Sequence, residues 1–566
     1  MSYRPDNPLM IQSDMTVLVE VDHPDYDAIR DHLGSFAELE KSPEFVHTYR
    51  ISPLSLWNAA AAGVRLDDIL SFLSQYSKFP IPSSLIKEME MWYGRYGLLR
   101  IEREQDQLYL TSRDPALLDQ LREYKSLRQL IGAQKDGRSP IKATDRGLLK
   151  QELVKIGYPV EDVAGYLEGA KLHFQWRTVT LKGKRFELRR YQRQAADQFY
   201  AGGSVYGGSG VLVLPCGAGK TVIGIAAAVD LQSEVLVLTS SITACRQWIE
   251  EFLDKTTLRE DQIGEYSGEK KEIRPVTVTT YQILSYRKYK EDDFEHLALF
   301  NRRNWGLIIY DEVHLLPAPV FRITADIQAK RRLGLTATLI REDGREKDVF
   351  SLIGPKKYEA PWKELERQGW IAKANCTEIR VEMTEHERKR YAVAEARARF
   401  RIAAEAQRKM EVVRKLMERH RDDRVLIIGQ YLDQLRTLAA ALNLPLITGK
   451  TQNAEREKLY QAFRSGEIRA LVVSKVANFA IDLPDANVAV QVSGQFGSRQ
   501  EEAQRLGRIL RPKKDGSQAQ FYAIVTQDSR ELDFAINRQR FLTEQGYRYE
   551  IVDERVLDDL TSSPNR

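Results

Sequence analysis

Within a single turn, residues 211–229 change from an unbroken apolar strand to an Ala-rich helix, and few folds accept such a junction. Four apolar residues, Val211-Leu-Val-Leu214, lead into Pro-Cys-Gly-Ala-Gly-Lys220-Thr221, and Val-Ile-Gly-Ile-Ala-Ala-Ala-Val follows. The first part reads as a buried strand and the last as a helix packed on its sheet. In the loop of Pro215, Cys216, Gly217, Ala218 and Gly219, the two glycines let the backbone curl so that its N–H groups face an anion. Lys220 then reaches the terminal phosphates, and Thr221 ligates Mg²⁺ at the positive end of the helix. The strict G-x-x-x-x-G-K-[ST] pattern has Leu214 where its first Gly should stand, so the strand–loop–helix context carries the assignment. The competing reading is a Gly-rich surface turn that happens to end in Gly-Lys-Thr.

A chain of 566 residues has room for about three or four domains. Its 43% apolar and 29% charged content is that of globular protein, and the net charge of +5 is compatible with a polyanionic partner. The three cysteines, Cys216, Cys245 and Cys376, lie far apart, form no disulfide framework and point to a reducing compartment. The N-terminus lacks the apolar core of a signal peptide, and no uninterrupted 18-residue apolar segment follows. The expectation is a cytoplasmic protein with no membrane partner.

Residues 1–110 read as an accessory domain. A strand is expected at 13–21 and helices at 24–33, 52–63, 66–76 and 83–93. A hairpin is then expected from Leu98-Leu-Arg-Ile and Leu108-Tyr-Leu-Thr. Helices followed by a small hairpin suggest a winged-helix-like module for docking or stabilisation. In residues 111–185, Pro159-Val-Glu-Asp caps an expected helix near 161–168, and the stretch from Gly132 to Pro140 reads as a linker. The segments His173-Phe-Gln-Trp-Arg and Lys182-Gly-Lys-Arg interleave basic and aromatic residues, as a DNA contact or as a solvated connector.

Residues 186–360 carry further strand ends with chemistry on them. Leu188-Arg189-Arg-Tyr-Gln192 stands about thirty residues before the loop, and a Gln there can satisfy the donor and acceptor edge of adenine. Val235-Leu-Val-Leu-Thr239 and Val276-Thr-Val-Thr-Thr280 end in hydroxyls, along the edge where doubly wound sheets bind ligands. They suit either a nucleic-acid backbone or the cap of the next helix. Trp305-Gly-Leu-Ile-Ile-Tyr-Asp311-Glu312-Val-His314 delivers two adjacent carboxylates from an apolar strand. Adjacent side chains alternate in direction, so Asp311 is assigned to Mg²⁺ and Glu312 to the attacking water. An exposed acidic turn is the bland alternative. His314 is read as a bridge from the nucleotide site to the second domain, and Thr336-Ala-Thr338 as a relay of the state of the phosphate.

From Arg424 a second alternation of apolar strands and helices begins, through Leu446-Ile, Ala470-Leu-Val-Val-Ser474 and Val488-Ala-Val-Gln-Val. It predicts a second, mainly parallel sheet. Its last helix carries Gln504-Arg-Leu-Gly-Arg508-Ile-Leu-Arg511, with two guanidiniums on one face. They are placed to cross a cleft to a γ-phosphate, or to form a solvated basic helix.

The order of these pieces resembles the superfamily-2 helicases, and within them the XPB-type DNA helicases, over about residues 186–550. The carriers include Leu214-Pro-Cys-Gly-Ala-Gly-Lys-Thr, Asp311-Glu-Val-His, Gly334-Leu-Thr-Ala-Thr-Leu-Ile-Arg-Glu-Asp343, Ile481-Asp482-Leu-Pro and Gln504-Arg-Leu-Gly-Arg-Ile-Leu-Arg-Pro. The resemblance implies an α/β fold: two RecA-like P-loop domains, an N-terminal α+β accessory region and a helical thumb-like insertion. It makes Leu214 normal for the family. It also implies ATP-dependent 3′→5′ movement on single-stranded and duplex DNA, with a repair nuclease or transcription factor as partner. By the same resemblance Arg341-Glu342-Asp343 is the loop at the point of duplex opening. Residues 361–383 join the halves, and 422–566 form the second motor domain. Residues 384–421, with twelve Lys and Arg against six Glu and so a net +6, match the DNA-gripping thumb. Arg397, Arg401 and Arg408 are its expected contacts, with a solvated helical hairpin as the alternative. One departure is Ala477-Asn478 where Gly-Asp or similar is expected, although Asp482 remains. The rivals are a duplex translocase that separates no strands, an RNA helicase and an ATP-controlled clamp. A restriction-type motor would need a nuclease centre, and no carboxylate–lysine cluster of that kind is seen.

Overall fold

The computed structural model describes the chain apart from residues 1–2, 42–44, 216, 290–293, 329, 338–344, 361–364, 366–373, 475–485, 494–517, 545–547 and 557–566. At the N-terminus β1 (Leu9–Ile11), β2 (Thr16–Glu20), β3 (Glu38–Lys41) and β4 (Val46–Arg50) form an antiparallel sheet in the order β1-β2-β4-β3. Helices Tyr26–Gly34, Pro53–Ala61, Leu66–Tyr76 and Ser83–Gly94 accompany it, close to the ranges expected from the sequence. Helix Pro53–Ala61 starts where Ser52 and Ser55 exchange reciprocal backbone-to-hydroxyl bonds of 2.9 and 3.0 Å, with Pro53 at the first position.

The hairpin of β5 (Leu99–Glu104) and β6 (Gln107–Ser112) does not close that unit. It continues into β7 (Arg138–Ile141) and β8 (Val160–Asp162), in the order β7-β6-β5-β8. A boundary at residue 110 therefore cuts a sheet in half, and the winged-helix-like reading of 1–110 gives way to two small sheets in succession. The presumed linker at 132–140 holds part of a strand, and Gly132 lies so close to Pro140 that a Cβ would sit 2.7 Å from its ring. The helix expected near 161–168 is replaced by β8. The Asp162 carboxylate is buried instead of capping a helix, 2.6 Å from Arg146 and 3.1 Å from Lys150 of helix Arg146–Lys155.

That cluster joins the accessory region to the first large sheet. Gly147 lies against the next domain, where a Cβ would come within 2.3 Å of the Ala325 carbonyl oxygen. The Tyr166 ring faces the guanidiniums of Arg146, Arg331 and Arg332 at 5.8 to 6.0 Å. Segment 170–186 then packs along helix Ile242–Lys255, with Leu172 and Phe174 in the core and Trp176 against Phe186 at 5.0 Å. Its aromatic residues are packing groups, so the interleaved pattern there belongs to a strap on the domain. Lys182 pairs with Glu250.

The first large sheet consists of β9 (Ser209–Val213), β10 (Val235–Thr239), β11 (Ile263–Tyr266), β12 (Val276–Thr280), β13 (Leu307–Asp311), β14 (Arg331–Thr336) and β15 (Lys356–Glu359). All pairings are parallel, in the order β11-β12-β10-β13-β14-β9-β15. The strand C-termini thus share one edge, the ligand edge of doubly wound sheets. The second large sheet repeats this plan. It holds β16 (Ala374–Val381), β17 (Val425–Gly429), β18 (Leu446–Ile447), β19 (Ala470–Ser474), β20 (Val488–Gln491), β21 (Ala519–Thr526) and β22 (Arg548–Asp553). Its order is β18-β19-β17-β20-β21-β16-β22, again all parallel.

Residues 384–421 form three helices, Glu385–Val393, Ala396–Ala404 and Arg408–Arg419. The third buries Val412, Val413 and Leu416 in the core of the second sheet, so it belongs to that domain rather than to an insertion. Its Lys409 is 1% exposed and donates to the Val492 carbonyl at 3.0 Å and to Glu531 at 2.7 Å. Among the described residues, no helix is long and apolar enough to cross a membrane.

Replacing Asp162 with Asn leaves Arg146 and Lys150 buried without a counter-charge. We expect a stability loss of about 3 kcal/mol, read as a lower urea midpoint. An unchanged midpoint would mean that the cluster contributes nothing to docking of the accessory region.

Candidate functional site

The phosphate-type loop sits at the C-terminal end of β9, on the ligand edge. Leu214 keeps the strand direction: it is fully buried in the core, and its N–H donates to the Thr336 carbonyl at 2.9 Å. The turn starts one residue later, which removes any need for Gly at 214. Gly217 and Gly219 have φ of +83° and +79°, the left-handed region where L side chains are strained. Gly219 is the N-cap of helix Lys220–Leu231, so its bend aims the first turn's N–H groups into the loop. Pro215 and Ala218 are buried and joined by a backbone bond of 3.2 Å, while Cys216 lies outside the described residues.

Gln192 is buried and braces this loop. Its Oε1 accepts from the Arg189 N–H at 3.0 Å, and its Nε2 donates to the Ala218 carbonyl at 3.3 Å. Tyr191, one residue before it, donates its hydroxyl to the same carbonyl at 2.6 Å and accepts from Arg189 Nη1 at 3.2 Å. A Cβ at Gly219 would lie 2.6 Å from Gln192 Nε2. The amide placed beside the loop is therefore held on both its oxygen and its nitrogen.

Two strands away, β13 delivers the carboxylate pair. Lys220 Nζ lies 3.2 Å from Glu312 Oε1, with both side chains nearly buried. Glu312 has φ +50°, a left-handed conformation for a residue with a side chain, and it opens a 3₁₀ turn at Val313–Leu315. That backbone turns it back toward the phosphate loop. Asp311 Oδ2 accepts from the Trp248 indole N–H at 2.9 Å, and the Asp311 carbonyl accepts from the Tyr281 hydroxyl at 2.9 Å.

The two acids differ in electrostatics. Burial, and then the Glu312 charge, push the Asp311 carboxyl up to about 6, against the pull of Trp248 and Lys220. Burial raises Glu312 as well, but the Lys220 ammonium and His314 outweigh it and leave this carboxyl lowered. Such a split leaves Glu312 as the standing anion, able to accept a proton. Asp311 and the Thr221 hydroxyl are the pair able to hold a divalent cation. The curled loop, the lysine and the buried acid together fit a metal-bound nucleoside triphosphate.

His314 lies within this same site. Its Nδ1 shares a hydrogen bond of 2.7 Å with the Thr336 hydroxyl and is 3.7 Å from Glu312 Oε2. The residue expected to bridge to the second domain thus ties the ends of β13 and β14 together. Thr239 and Thr280 are fully or nearly fully buried. Thr239 donates to the carbonyls of Thr279 and Ser241, at 3.0 and 3.1 Å, and Thr280 caps the helix at Tyr281–Leu284 by accepting from Ile283 N. The capping alternative describes Thr280, whereas the Thr239 hydroxyl is bonded to carbonyls within the fold and caps no helix. In the thumb segment Arg401 is exposed and paired with Glu405 and Asp433, at 3.0 and 2.7 Å, while Arg408 pairs with Glu554. The Arg397 side chain, Thr338, Arg341, Glu342, Asp343, Asp482, Gln504, Arg508 and Arg511 lie outside the described residues. Trp248 and Tyr191 were missed as site residues by sequence reading. Their role depends on partners 63 and 27 positions away.

Comparison with known proteins follows the same plan. Residues 365–563 match the model of the ERCC3/RAD25/XPB C-terminal helicase, and 185–341 match that of the Type III restriction enzyme res subunit. Residues 9–136 match a helicase conserved C-terminal domain. The chain is 54% identical, over 98% of its length and 99% of the relative's, to the DNA 3′-5′ helicase XPB of Mycobacterium tuberculosis. The chain belongs to the XPB helicase family. The DNA 3′-5′ helicase XPB of Kineococcus radiotolerans is 51% identical over 98% of both chains. In Saccharomyces cerevisiae, the general transcription and DNA repair factor IIH helicase/translocase subunit XPB/SSL2 is 32% identical over 99% of this chain and 74% of its own. The fold is shared with the ATP-dependent Type ISP restriction-modification enzyme LlaBIII bound to DNA, with a TM-score of 0.50 at 13% identity. That match covers 66% of this chain and 31% of the other.

Gly219→Ala puts a methyl group into a left-handed backbone and against Gln192. ADP affinity by calorimetry should fall about tenfold or more, with the melting temperature lowered by a few degrees at most. Unaltered affinity would contradict the loop geometry described above.

Proposed function

We propose that this chain is an ATP-dependent DNA motor that moves 3′→5′, opens duplex DNA and serves repair or transcription-linked processes in the cytoplasm. The observation that carries the reading is the Lys220–Glu312–Asp311 constellation on the ligand edge, in a chain 54% identical to a DNA 3′-5′ helicase.

ATP enters with its phosphates in the curl at residues 215–219 and its base beside Gln192. The γ-phosphate competes with Glu312 for the Lys220 ammonium, and Glu312 is then released to orient and deprotonate the attacking water. Asp311 and Thr221 would hold Mg²⁺, which would neutralise charge on the phosphate oxygens when bound. Gln504, Arg508 and Arg511 are proposed to approach from the second RecA-like domain as the γ-phosphate sensor, with Asp482 nearby. His314 and Thr336, already bonded, pass the state of the phosphate to Thr338 and the Arg341-Glu342-Asp343 loop at the fork. DNA is gripped by that loop and by the basic helices Glu385–Val393 and Ala396–Ala404, through the exposed Arg401 and with Arg397 as a further proposed contact. Cleft opening and closing on hydrolysis then ratchets the two domains along the backbone. A repair nuclease or a transcription assembly is the expected partner class.

The naming of the yeast relative as a helicase/translocase supports a second reading, a duplex translocase without strand separation. Strand displacement compared with triplex displacement separates the two. Lys220→Ala and Glu312→Gln should each lower DNA-stimulated ATP turnover by at least about 100-fold while DNA affinity stays within about twofold. Unchanged turnover in Glu312→Gln would remove Glu312 from the mechanism.

A further inference from the structure

Trp248 lies in the middle of helix Ile242–Lys255, away from the phosphate loop in sequence, yet it touches three elements of the site. Its ring is 1% exposed. A Cβ placed on Gly224, one turn into the phosphate-loop helix, would meet Trp248 Cη2 at 2.5 Å, so the ring fills the space that this glycine leaves. The Leu335 side chain of β14 closes the same space. From that slot the indole N–H reaches Asp311 Oδ2 at 2.9 Å.

An indole N–H can only donate. It therefore holds Oδ2 as an acceptor, and a cation can bind the carboxylate, through Oδ1 for example, with that bond intact. A wedged tryptophan cannot follow a swinging carboxylate, because Gly224 and Leu335 confine its ring. Groups that bond to a metal-binding side chain fix its orientation, and their loss costs about 10–100-fold in metal affinity. The helix that carries Trp248 also begins at Ser241, whose hydroxyl caps it and whose carbonyl accepts from Thr239 at the end of β10. One ring thus registers the ends of β13 and β14 and the phosphate-loop helix, on a helix tied to the end of β10 through Ser241.

We propose that Trp248 is a positioning residue for the metal-bound nucleotide, its indole N–H fixing the Asp311 carboxylate in the orientation that takes the cation. This rests on the reading of the site as one for Mg·ATP. Two variants test it on the full chain. Trp248→Phe removes the N–H, and 3-benzothienylalanine at position 248 puts sulfur in its place while keeping the bicyclic volume. ADP affinity is measured by calorimetry with Mg²⁺ and with chelator. In the unmodified chain Mg²⁺ should tighten ADP binding, and the variants should lose about tenfold of that enhancement with metal-free affinity within twofold. Where Trp248→Phe does not fold, the benzothienyl variant carries the decision.

An enhancement equal to that of the unmodified chain in the benzothienyl variant would overturn the proposal and leave the reading of the site intact. An equal loss with and without Mg²⁺ would also overturn it, since the ring would then act on the loop by packing alone. Absence of any Mg²⁺ effect in the unmodified chain would overturn the proposal together with the reading on which it rests.

Discussion

A nearly buried lysine and a nearly buried glutamate 3.2 Å apart hold the first sheet's ligand edge together. Neither charge is tolerable alone at that depth, because desolvation of an isolated ion outweighs what the surrounding dipoles return. Lys220 opens the phosphate-loop helix, and Glu312 turns out of β13 in a left-handed conformation. The pair therefore spans β14, which lies between β9 and β13 in the sheet. Any ligand phosphate that draws off the ammonium frees the carboxylate in the same event. In the proposed mechanism, binding and chemistry are linked by one ion exchange rather than by separate devices.

The groups around the pair restrict how it can rearrange. Trp248 pins Asp311, His314 shares a proton with Thr336, and Tyr191 and Gln192 hold the Ala218 carbonyl. Behind them, the Arg146–Asp162–Lys150 cluster docks the accessory region, with Tyr166 against Arg332 at the N-terminal end of β14. The accessory region thus bears on the strand whose other end, Thr336, is bonded to His314 beside Glu312.

Much of this arrangement was legible in the chain because it is local. Gly-Lys-Thr after an apolar run, or Asp-Glu after another, places chemistry at a strand end from a few neighbouring residues. Both parallel sheets, and the helices within the first hundred residues, follow from the same short-range patterns. What escaped depends on long-range burial. The acidic group of Pro159-Val-Glu-Asp162 resembles a helix cap until Arg146 and Lys150 close over it. Thr239 and Thr280 resemble backbone binders until their hydroxyls are seen bonded within the fold. Leu214 departs from the glycine pattern, and its burial shows why the turn begins at Pro215. Trp248 had no signal beyond its place on a helix, since its partner is supplied by the sheet.

The account stands on ATP turnover being coupled to DNA through this edge. The direct measurement is steady-state ATPase rate with single-stranded DNA, duplex DNA and RNA, each at two salt concentrations. The account predicts strong stimulation by DNA, little by RNA, and a sharp fall in apparent DNA affinity at the higher salt as phosphate contacts are screened. A rate that is the same with and without DNA at both salt concentrations would contradict it.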